Sequence, residues 1–358
     1  MRRGACPTLH APMASGDGLL VRVNPPGARL SPEAARALAE AVERFANGVL
    51  ELTQRGNLQV RGTVDPAAFA DAMVAAGLAY PDPALEARRR VYGPPLLGED
   101  ESLHPGTAEL VAALERAFLT DPRLDRLPPK FAVAVEGGGV FGDRARAATL
   151  VITAGIVAAG IVTAGIVSAG IVSAGIVSAG GGMRPGRAVA HRTVVGPVAL
   201  PGGTHAAFEL APPFGQLDAG MLRGLAAVAE RHGTTLGVTP WRSLLVAGVP
   251  LGAVAGIAGE VGPGWITDPG DARLLVTTCV GAPGCASAST PTRADAAWLR
   301  ARAPVHLAGC AKGCAHPAAA GLTFVGRGGR YDLVRDGRAG DTPVLTGLTL
   351  DAVRELAA

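Results

Sequence analysis

Residues 19–62 read LLVRVNPPGARLSPEAARALAEAVERFANGVLELTQRGNLQVRG, and residues 206–248 read AAFELAPPFGQLDAGMLRGLAAVAERHGTTLGVTPWRSLLVAG. Both stretches follow one pattern: a strand, a proline-rich turn, an amphipathic helix of about three turns, and one or two further strands. A pattern that occurs twice predicts two half-domains packed about a pseudo-twofold axis, with a site between them.

The helix of the first copy illustrates how the residues produce this pattern. Ser31 is a candidate N-cap, because its hydroxyl can accept a backbone hydrogen bond, and Pro32 occupies the first helical position. Apolar residues then recur on one face of the helix: Leu38, Ala41, Val42 and Phe45. The stretch therefore predicts an amphipathic helix that begins after Ser31.

Each copy is followed by a segment of different composition. Residues 105–146 predict a helix over residues 107–119, the turn LPPKF and the strand FAVAVE. The second such segment predicts a helix near residues 293–303 and a hairpin-like end, GLTFVGRGGRYDLVRDG. The order half-domain, insert, half-domain, insert predicts four regions, which are residues 1–85, 86–200, 201–265 and 266–358.

Four of the five cysteines form one arrangement, Cys279-x5-Cys285 followed by Cys310-x3-Cys314. Four thiolates are enough to hold one 4Fe–4S cluster. Structural zinc prefers pairs that are more closely spaced than the first of these, so zinc is less favoured. Glycines beside the cysteines would let the backbone approach a bulky cluster. Two disulfides or four unreactive thiols are the alternatives, and Cys6 is interpreted as a small buried residue.

The composition excludes some partners and favours others. A net charge of +3 over 358 residues is too balanced to indicate a nucleic-acid partner. Only Lys130 and Lys312 are lysines, whereas arginines cluster within residues 55–61 and 88–90. Guanidinium groups bind carboxylates in a bidentate manner, so these clusters are candidate sites for an acidic ligand. The N-terminal residues lack the apolar core of a signal peptide, and a reduced, cytoplasmic protein is expected.

A pentapeptide, AGIV followed by Ala, Thr or Ser, occurs five times within residues 154–178. Its hydropathy would allow a membrane span over residues 149–180, but a period of five residues gives no continuous face in a helix or a strand. Glycine recurs in every unit, and a soluble pattern resumes on both sides. We expect a low-complexity loop or an irregular pair of strands rather than a membrane span.

Several short motifs add to the repeat and the cysteines. They are RRGACP and APMASGDGLLVRV near the N-terminus, LTQRGNLQVRG and LPPKF in the first half, and PWR, CVGAPGCASA and GCAKGCAHP in the second half. With these motifs the chain resembles the nitrite/sulfite reductase superfamily, and within it the precorrin-3B synthases of aerobic cobalamin biosynthesis. The resemblance covers nearly the whole chain except residues 147–190. It implies an α+β fold with two ferredoxin-like half-domains interleaved with two α/β domains.

The resemblance also implies roles for individual residues. The cluster ligands would be Cys279, Cys285, Cys310 and Cys314, and Cys314 would face the active site. The side chains that contact a tetrapyrrole would be Arg22, Arg55, Gln59 and Arg89. Lys130 matches the first lysine of a substrate-facing pair and would hold the substrate or supply a proton. Ala132 replaces the second lysine of that pair, which disfavours six-electron reduction of sulfite or nitrite.

The activity implied by the resemblance is that of an oxidoreductase that hydroxylates precorrin-3A at C20 with molecular oxygen and closes a γ-lactone. The expected cofactors are the 4Fe–4S cluster and a mononuclear non-haem iron, whose ligands the sequence does not identify. NADH or a reductase partner would supply electrons, and the substrate would be the polycarboxylate tetrapyrrole. The alternatives are a sirohaem-dependent sulfite or nitrite reductase and a non-catalytic iron–sulfur electron-transfer protein.

Overall fold

Each copy of the repeated pattern forms an antiparallel sheet, and each sheet also contains one strand from the other copy. The computed structural model describes residues 7–89, 91–127, 131–141, 150–153, 183–185 and 195–358. The pentapeptide segment, Cys6 and Lys130 lie outside these residues.

Strands and helices follow one another along the described chain in the order that the repeat predicts. The strands are β1 (Met13–Ser15), β2 (Gly18–Val23), β3 (Arg29–Leu30), β4 (Val49–Leu52), β5 (Leu58–Thr63), β6 (Val91–Tyr92), β7 (Val133–Glu136), β8 (Leu150–Thr153), β9 (Met183–Pro185), β10 (Gly196–Ala199), β11 (His205–Leu210), β12 (Gln216–Asp218), β13 (Leu236–Val238), β14 (Leu244–Pro250), β15 (Val276–Thr278), β16 (Val305–Ala308), β17 (Ala320–Arg327), β18 (Arg330–Gly337) and β19 (Leu345–Leu348). The α-helices are α1 (Pro32–Phe45), α2 (Pro66–Ala75), α3 (Pro83–Ala87), α4 (Thr107–Thr120), α5 (Ala219–Arg231), α6 (Leu251–Val254), α7 (Ile257–Glu260), α8 (Thr292–Ala296) and α9 (Leu350–Ala357). Short 3₁₀ turns cover Pro26–Ala28, Pro122–Arg126, Pro213–Gly215 and Ala272–Leu275.

The exchange of strands between the two copies is reciprocal. The first sheet has the strand order β1-β2-β5-β4-β12, and the second has the order β10-β11-β14-β13-β3. Strand β12 leaves the second copy to pair antiparallel with β4, and β3 leaves the first copy to pair antiparallel with β13. Each copy therefore extends the sheet of the other, and the predicted pseudo-twofold relation is confirmed.

The proline-rich turns direct these exchanged strands. In the first copy Gly27 and Ala28 have left-handed φ values of 58° and 56°, and in the second copy Phe214 and Gly215 have φ values of 59° and 74°. Glycine adopts this conformation without a steric penalty, whereas Ala28 and Phe214 adopt it at some cost. The two turns keep the same backbone geometry although their glycines occupy different positions.

One hydrophobic core spans both copies. Helices α1 and α5 pack against each other, and their apolar residues belong to a single buried cluster. The predicted face of α1 is confirmed, because Leu38, Ala41 and Val42 are buried and Phe45 packs at the edge of the cluster. Each fully buried leucine stabilises the fold by about 1.5–3 kcal/mol relative to an exposed one. The shared core therefore joins the two half-domains into one unit.

The two inserts form mixed sheets of their own. The first has the order β6-β7-β8-β9, with β6, β7 and β8 parallel, and α4 packs on it. The second has the order β15-β16-β17-β18-β19, in which the first three strands are parallel and the last three antiparallel. The predicted helix at residues 107–119 and the hairpin β17–β18 are confirmed. Among the described residues, no helix has the length and hydropathy to cross a membrane.

The helix predicted near residues 293–303 is much shorter in the structure. Helix α8 ends at Ala296, and the amides of Trp298 and Leu299 then donate to the carbonyls of Asp295 and Ala296 in tight turns. Leu299 is buried in the core of this insert, whereas Trp298 is 60% exposed. Burial of Leu299 thus overrides the helical propensity of the alanine-rich stretch.

Ser31→Ala tests the predicted cap of α1. The Ser31 hydroxyl accepts a hydrogen bond from the Ala34 amide at 3.2 Å, so its removal is expected to lower the free energy of unfolding by about 1 kcal/mol. Urea unfolding followed by circular dichroism measures this change. Asp71→Ala, at an exposed position inside α2, is the control and should change the free energy by less than about 0.5 kcal/mol. Equal effects of the two substitutions would contradict the capping role.

Candidate iron–sulfur centre

Two parallel strands bring cysteines from both motifs to one edge of a sheet. Cys279 directly follows β15, and Cys310 follows β16 after one glycine. Because β15 and β16 are adjacent and parallel, their carboxyl ends lie at the same edge. The Cys279 amide extends the pairing by donating to the Leu307 carbonyl at 3.0 Å. The strand pairing therefore places the first and third cysteines side by side.

The other two cysteines lie in tight loops that begin at these strand ends. The Cys285 amide donates to the Gly281 carbonyl at 2.8 Å, and the Gly313 amide donates to the Cys310 carbonyl at 3.2 Å. Gly281 has a left-handed φ of 76°, and a Cβ atom there would lie 2.5 Å from the Thr292 amide nitrogen. The absence of a side chain at Gly281 thus lets the first cysteine loop pack directly on the start of α8.

All four thiols are free and share one neighbourhood. Cys279, Cys285 and Cys310 are partly buried, and Cys314 is exposed. Although the Cys314 residue is exposed as a whole, partial burial of its thiol raises the pKa of Cys314, and the other three cysteines raise it further. The four thiols thus interact with one another electrostatically. The alternative of two disulfides is not supported, since no pair of these thiols is bonded.

The donor set fits a 4Fe–4S cluster better than a single metal ion. Within the described residues, no group of three or more histidine, cysteine, aspartate or glutamate side chains converges on a point that could hold one ion. Structural zinc needs four ligands around one point, at about 2.3 Å for each sulfur. In a cluster each thiolate binds a different iron, so four neighbouring but separate thiols are the suitable arrangement.

A buried arginine links the first cysteine loop to the first half-domain. Arg61 on β5 donates to both carboxylate oxygens of Asp17, at 2.7 and 2.8 Å, and to the Gly284 carbonyl at 2.6 Å. Its side chain is 5% exposed. Burial opposes the charge, but Asp17 and Glu51 outweigh this effect and raise the pKa of Arg61, with a further contribution from Cys285. The cation is therefore held in place beside the cysteine loop.

Glu51 on β4 is the carboxylate that connects the polar side chains of this region. It accepts hydrogen bonds from Arg293 at 2.6 Å and from the Gln59 amide at 2.9 Å, and it lies 3.5 Å from Arg61. The Gln59 carbonyl in turn accepts from Arg22 at 3.3 Å. Two of the predicted substrate contacts, Arg22 and Gln59, thus belong to a hydrogen-bonded chain that runs from the first sheet to α8.

A histidine without a predicted role lies against the first cysteine. His306 on β16 is 1% exposed, and its Nε2 atom is 3.8 Å from the Cys279 Sγ atom. Burial lowers the pKa of His306 to about 4, with further contributions from His316 and Arg242, so the imidazole is neutral near pH 7. The only signal for it in the sequence is one polar residue within the apolar strand VHLA that leads to Cys310.

Arg55 lies in the turn between β4 and β5. The Thr53 hydroxyl accepts from the Arg55 amide at 3.2 Å and donates to Asn57 at 2.7 Å, which fixes the backbone of the turn. The Arg55 side chain is partly exposed. Its guanidinium forms no hydrogen bond or ion pair with any described residue, so its donors are available to a ligand.

Arg89, in contrast, is bonded within its own segment. It donates to the Leu78 carbonyl at 2.8 Å and to Glu86 at 3.0 Å, and it lies over the Tyr80 ring with 5.5 Å to the ring centroid. Arg89 lines a cavity of about 310 Å³ that extends to Gly56, the residue after Arg55. The structure therefore places Arg89 beside a cavity while its charge is already paired.

The predicted lysine site is only partly described. Lys130 lies outside the described residues, and its role stays a prediction. Ala132, where the reductases of the superfamily would have their second lysine, is 2% exposed.

Similarity to known proteins assigns the family. Residues 11–69 and 200–263, which include both copies of the repeat, match the Nitrite/Sulfite reductase ferredoxin-like half domain. A precorrin-3B synthase from Sinorhizobium sp is 31% identical over 396 residues, an alignment that covers 96% of this chain and 85% of that protein. The chain belongs to the precorrin-3B synthase family.

As a member of the precorrin-3B synthase family the protein is an enzyme, and its fold occurs in a solved structure. The NirA protein of Mycobacterium tuberculosis matches with a TM-score of 0.67 at 18% identity, over 94% of this chain and 79% of that chain. At this identity the match concerns the fold alone, and it supports the predicted α+β arrangement. Residues 153–180, which include the five AGIV pentapeptides, match six copies of the GLTT repeat.

Arg61→Ala tests the link between the cysteine loop and the first half-domain of this precorrin-3B synthase family member. Asp17 and Glu51 would lose their buried cation, so the free energy of unfolding is expected to fall by about 3–5 kcal/mol, as measured by urea denaturation. Arg223→Ala, which breaks an exposed pair with Glu43, is the control and should cost no more than about 1 kcal/mol. A small loss in both variants would contradict the structural role of Arg61.

Proposed function

We propose that this protein converts precorrin-3A to precorrin-3B by hydroxylating the macrocycle at C20 with molecular oxygen and closing a γ-lactone with the ring-A acetate. One oxygen atom would enter the product as the hydroxyl, and the other would leave as water after taking up two electrons and two protons. The observation that carries this proposal is the 31% identity over 96% of the chain to a precorrin-3B synthase. The grouping of four free thiols at one sheet edge supports it.

Cys279, Cys285, Cys310 and Cys314 would hold a 4Fe–4S cluster, which supplies single electrons when bound. The protein fixes two of these ligands at adjacent strand ends and ties the loop of a third to Arg61. The buried imidazole of His306 packs against Cys279, with its Nε2 atom 3.8 Å from the Sγ atom. The exposed thiol of Cys314 would face the substrate. NADH or a reductase partner would supply the electrons.

A mononuclear non-haem iron does not fit the residues that the structure describes. Such an iron is typically held by two histidines and one carboxylate. No group of three such side chains within the described ranges could hold one ion, and we assign no step to it.

Precorrin-3A carries several carboxylates, and the Arg55 guanidinium, which is unpaired among the described residues, is a suitable partner for one of them. A charge-assisted hydrogen bond of this kind contributes about 1.5–3 kcal/mol. The neighbouring cavity of about 310 Å³ would receive part of the macrocycle or one of its side chains. Arg22, Gln59 and Arg89 already have partners within the protein, so they would contribute by shaping this cleft or by exchanging partners when the substrate binds. Lys130 would hold the substrate or supply a proton.

A sirohaem-dependent reductase is disfavoured by the residue that replaces the second lysine. Ala132 is buried and uncharged, so it cannot supply the positive charge that a sulfite or nitrite anion needs during reduction. The relative at 31% identity is a synthase as well.

Arg55→Ala tests the substrate cleft. Loss of one charge-assisted contact is expected to weaken precorrin-3A binding about 10- to 100-fold, because each 1.4 kcal/mol corresponds to a factor of ten. Equilibrium dialysis under anaerobic conditions measures the affinity, and the iron and sulfide content should stay normal. Arg223→Ala also removes one positive charge, but on α5, and should leave the affinity for precorrin-3A unchanged. Wild-type affinity in Arg55→Ala would contradict the assignment of this cleft.

Cys285→Ser tests the cluster ligands. The variant is expected to lose most of its iron and sulfide, together with the visible absorption of the cluster, and the insert that carries the cysteines should become less stable. Cys6→Ser alters the one cysteine outside the quartet and should retain wild-type iron content. Equal iron content in both variants and the wild type would show that Cys285 is not a ligand.

A further inference from the structure

The turn that carries Arg55 has a counterpart in the second copy of the repeat. In the first copy the Thr53 hydroxyl bonds to Asn57 at 2.7 Å, and in the second the Thr239 hydroxyl bonds to Ser243 at 2.6 Å. The backbone bonds between the same pairs of residues measure 3.0 and 3.1 Å. Thr53 therefore corresponds to Thr239, and counting along the turn makes Arg242 the counterpart of Gly56.

Arg242 has a backbone conformation that favours glycine. Its φ is 62°, and that of Gly56 is 66°. A residue with a long side chain adopts this region at a cost, and such costs are concentrated at functional sites. The first copy avoids the cost with a glycine, whereas the second copy has an arginine at the same point. The contacts of the Arg242 side chain supply the reason.

The Arg242 side chain runs from this turn to the second cysteine loop. Its aliphatic part packs on Gly215, where a Cβ atom would lie 3.0 Å from Arg242 Cδ. Its Nη2 atom lies 3.5 Å from the carbonyl oxygen of Ala315, the residue after Cys314. Its Nε atom is shielded from solvent and has no hydrogen-bond partner in the part of the chain that the structure describes. Burial and then Arg293 lower the pKa of Arg242, while Glu51 and Cys279 act in the opposite direction.

The arginines near the cysteines differ in how their charge is balanced. Arg61 forms ion pairs with Asp17 and Glu51, and Arg293 forms one with Glu51. Among the described residues, Arg242 forms no ion pair with a carboxylate. Its positive charge is therefore not neutralised by a direct partner, and it acts on Glu51 and on the Cys279 thiolate.

We propose that Arg242 is the counter-charge of the iron–sulfur centre and raises its reduction potential. The inference rests on the proposed function in one respect, namely that the four cysteines hold a cluster. Reduction adds one negative charge to the cluster, and a fixed cation beside the loop that carries Cys314 stabilises that charge. Net charge, hydrogen bonding and solvent exposure are the quantities by which a protein sets such a potential. In this account Arg242 is a positioning residue and takes no direct part in the chemistry.

The test is a redox titration of the anaerobically purified full chain, followed by electron paramagnetic resonance of the reduced cluster. Arg242→Gln removes the charge and keeps a hydrogen-bonding side chain, and Arg242→Lys keeps the charge. At the wild-type midpoint potential, the ratio of reduced to oxidised cluster is expected to fall about tenfold in Arg242→Gln, which is about 59 mV for a one-electron couple. Arg242→Lys should stay close to the wild type, and so should the remote control Arg223→Gln.

The backbone strain provides a second comparison. Arg242→Gly and Arg242→Ala both remove the charge, but only glycine adopts the left-handed conformation without strain. Both variants should show the lowered potential, and Arg242→Gly should melt at a higher temperature than Arg242→Ala. If the midpoint potential is lowered equally in both variants while their melting temperatures differ, the change in potential comes from the lost charge, and the counter-charge role is supported.

Other outcomes would overturn the inference. A wild-type midpoint potential in Arg242→Gln or Arg242→Gly with full iron content would do so, and so would equal loss of iron from Arg242→Gln and Arg242→Lys. Loss of iron from Arg242→Gln, with full iron content in Arg242→Lys, would support the inference. Absence of iron and sulfide from the wild-type protein itself, even after reconstitution, would refute the cluster of the proposed function, and the counter-charge role would fall with it.

Discussion

Reciprocal exchange of β3 and β12 between the two copies of the repeat is the contact on which the remaining architecture depends. It forces α1 and α5 against each other, so that two short half-domains share one hydrophobic core. The same exchange pairs Gln216 of β12 with Glu51 of β4. Glu51 is thereby held at the point where it meets Arg293 from the insert that carries the cysteines. The core of the half-domains and the position of the candidate site are therefore linked through one strand.

The link between half-domain and insert is made of buried charges. Arg61 and Arg293 carry two positive charges, and Asp17 and Glu51 carry two negative ones, so the four groups neutralise one another. Desolvation makes such a network expensive unless its charges are paired, and each of the four groups has an opposite charge within 3.5 Å. Because of this network, the first cysteine loop is held against β5, and the Arg55 turn joins β5 to β4 in the same sheet. Electron delivery and substrate binding would then take place on a single platform.

Much of this organisation could be predicted from local patterns in the sequence. The Ser31 cap, the apolar face of α1 and the terminal hairpin each depend on residues within a few positions, and the structure confirms them. The number and spacing of the cysteines predicted one set of four cluster ligands, and the structure places Cys279 and Cys310 after adjacent parallel strands. The prediction of a helix near residues 293–303 was wrong beyond Ala296, since burial of Leu299 in the core of the insert outweighs the local helical propensity.

Features that depend on distant partners could not be predicted in the same way. Arg61 and Gly284 are far apart in the chain, and no local pattern indicates that they meet. Arg89 resembled a substrate contact, but its pairing with Leu78 and Glu86 becomes visible only in the folded chain. Arg242 was detectable in principle, because alignment of the two repeat copies places it opposite Gly56. Its left-handed backbone and its contact with the cysteine loop required the structure.

The measurement that tests the central claim most directly is turnover of precorrin-3A by the anaerobically purified protein, supplied with a reductant and ¹⁸O₂. Mass spectrometry of the product then counts the labelled atoms. An oxygenating synthase predicts one ¹⁸O atom in each product molecule, with no sirohaem in an acid–acetone extract of the protein. Unchanged precorrin-3A, together with extractable sirohaem and sulfite-dependent oxidation of a reduced dye, would contradict this account and assign the protein to the reductases of the superfamily.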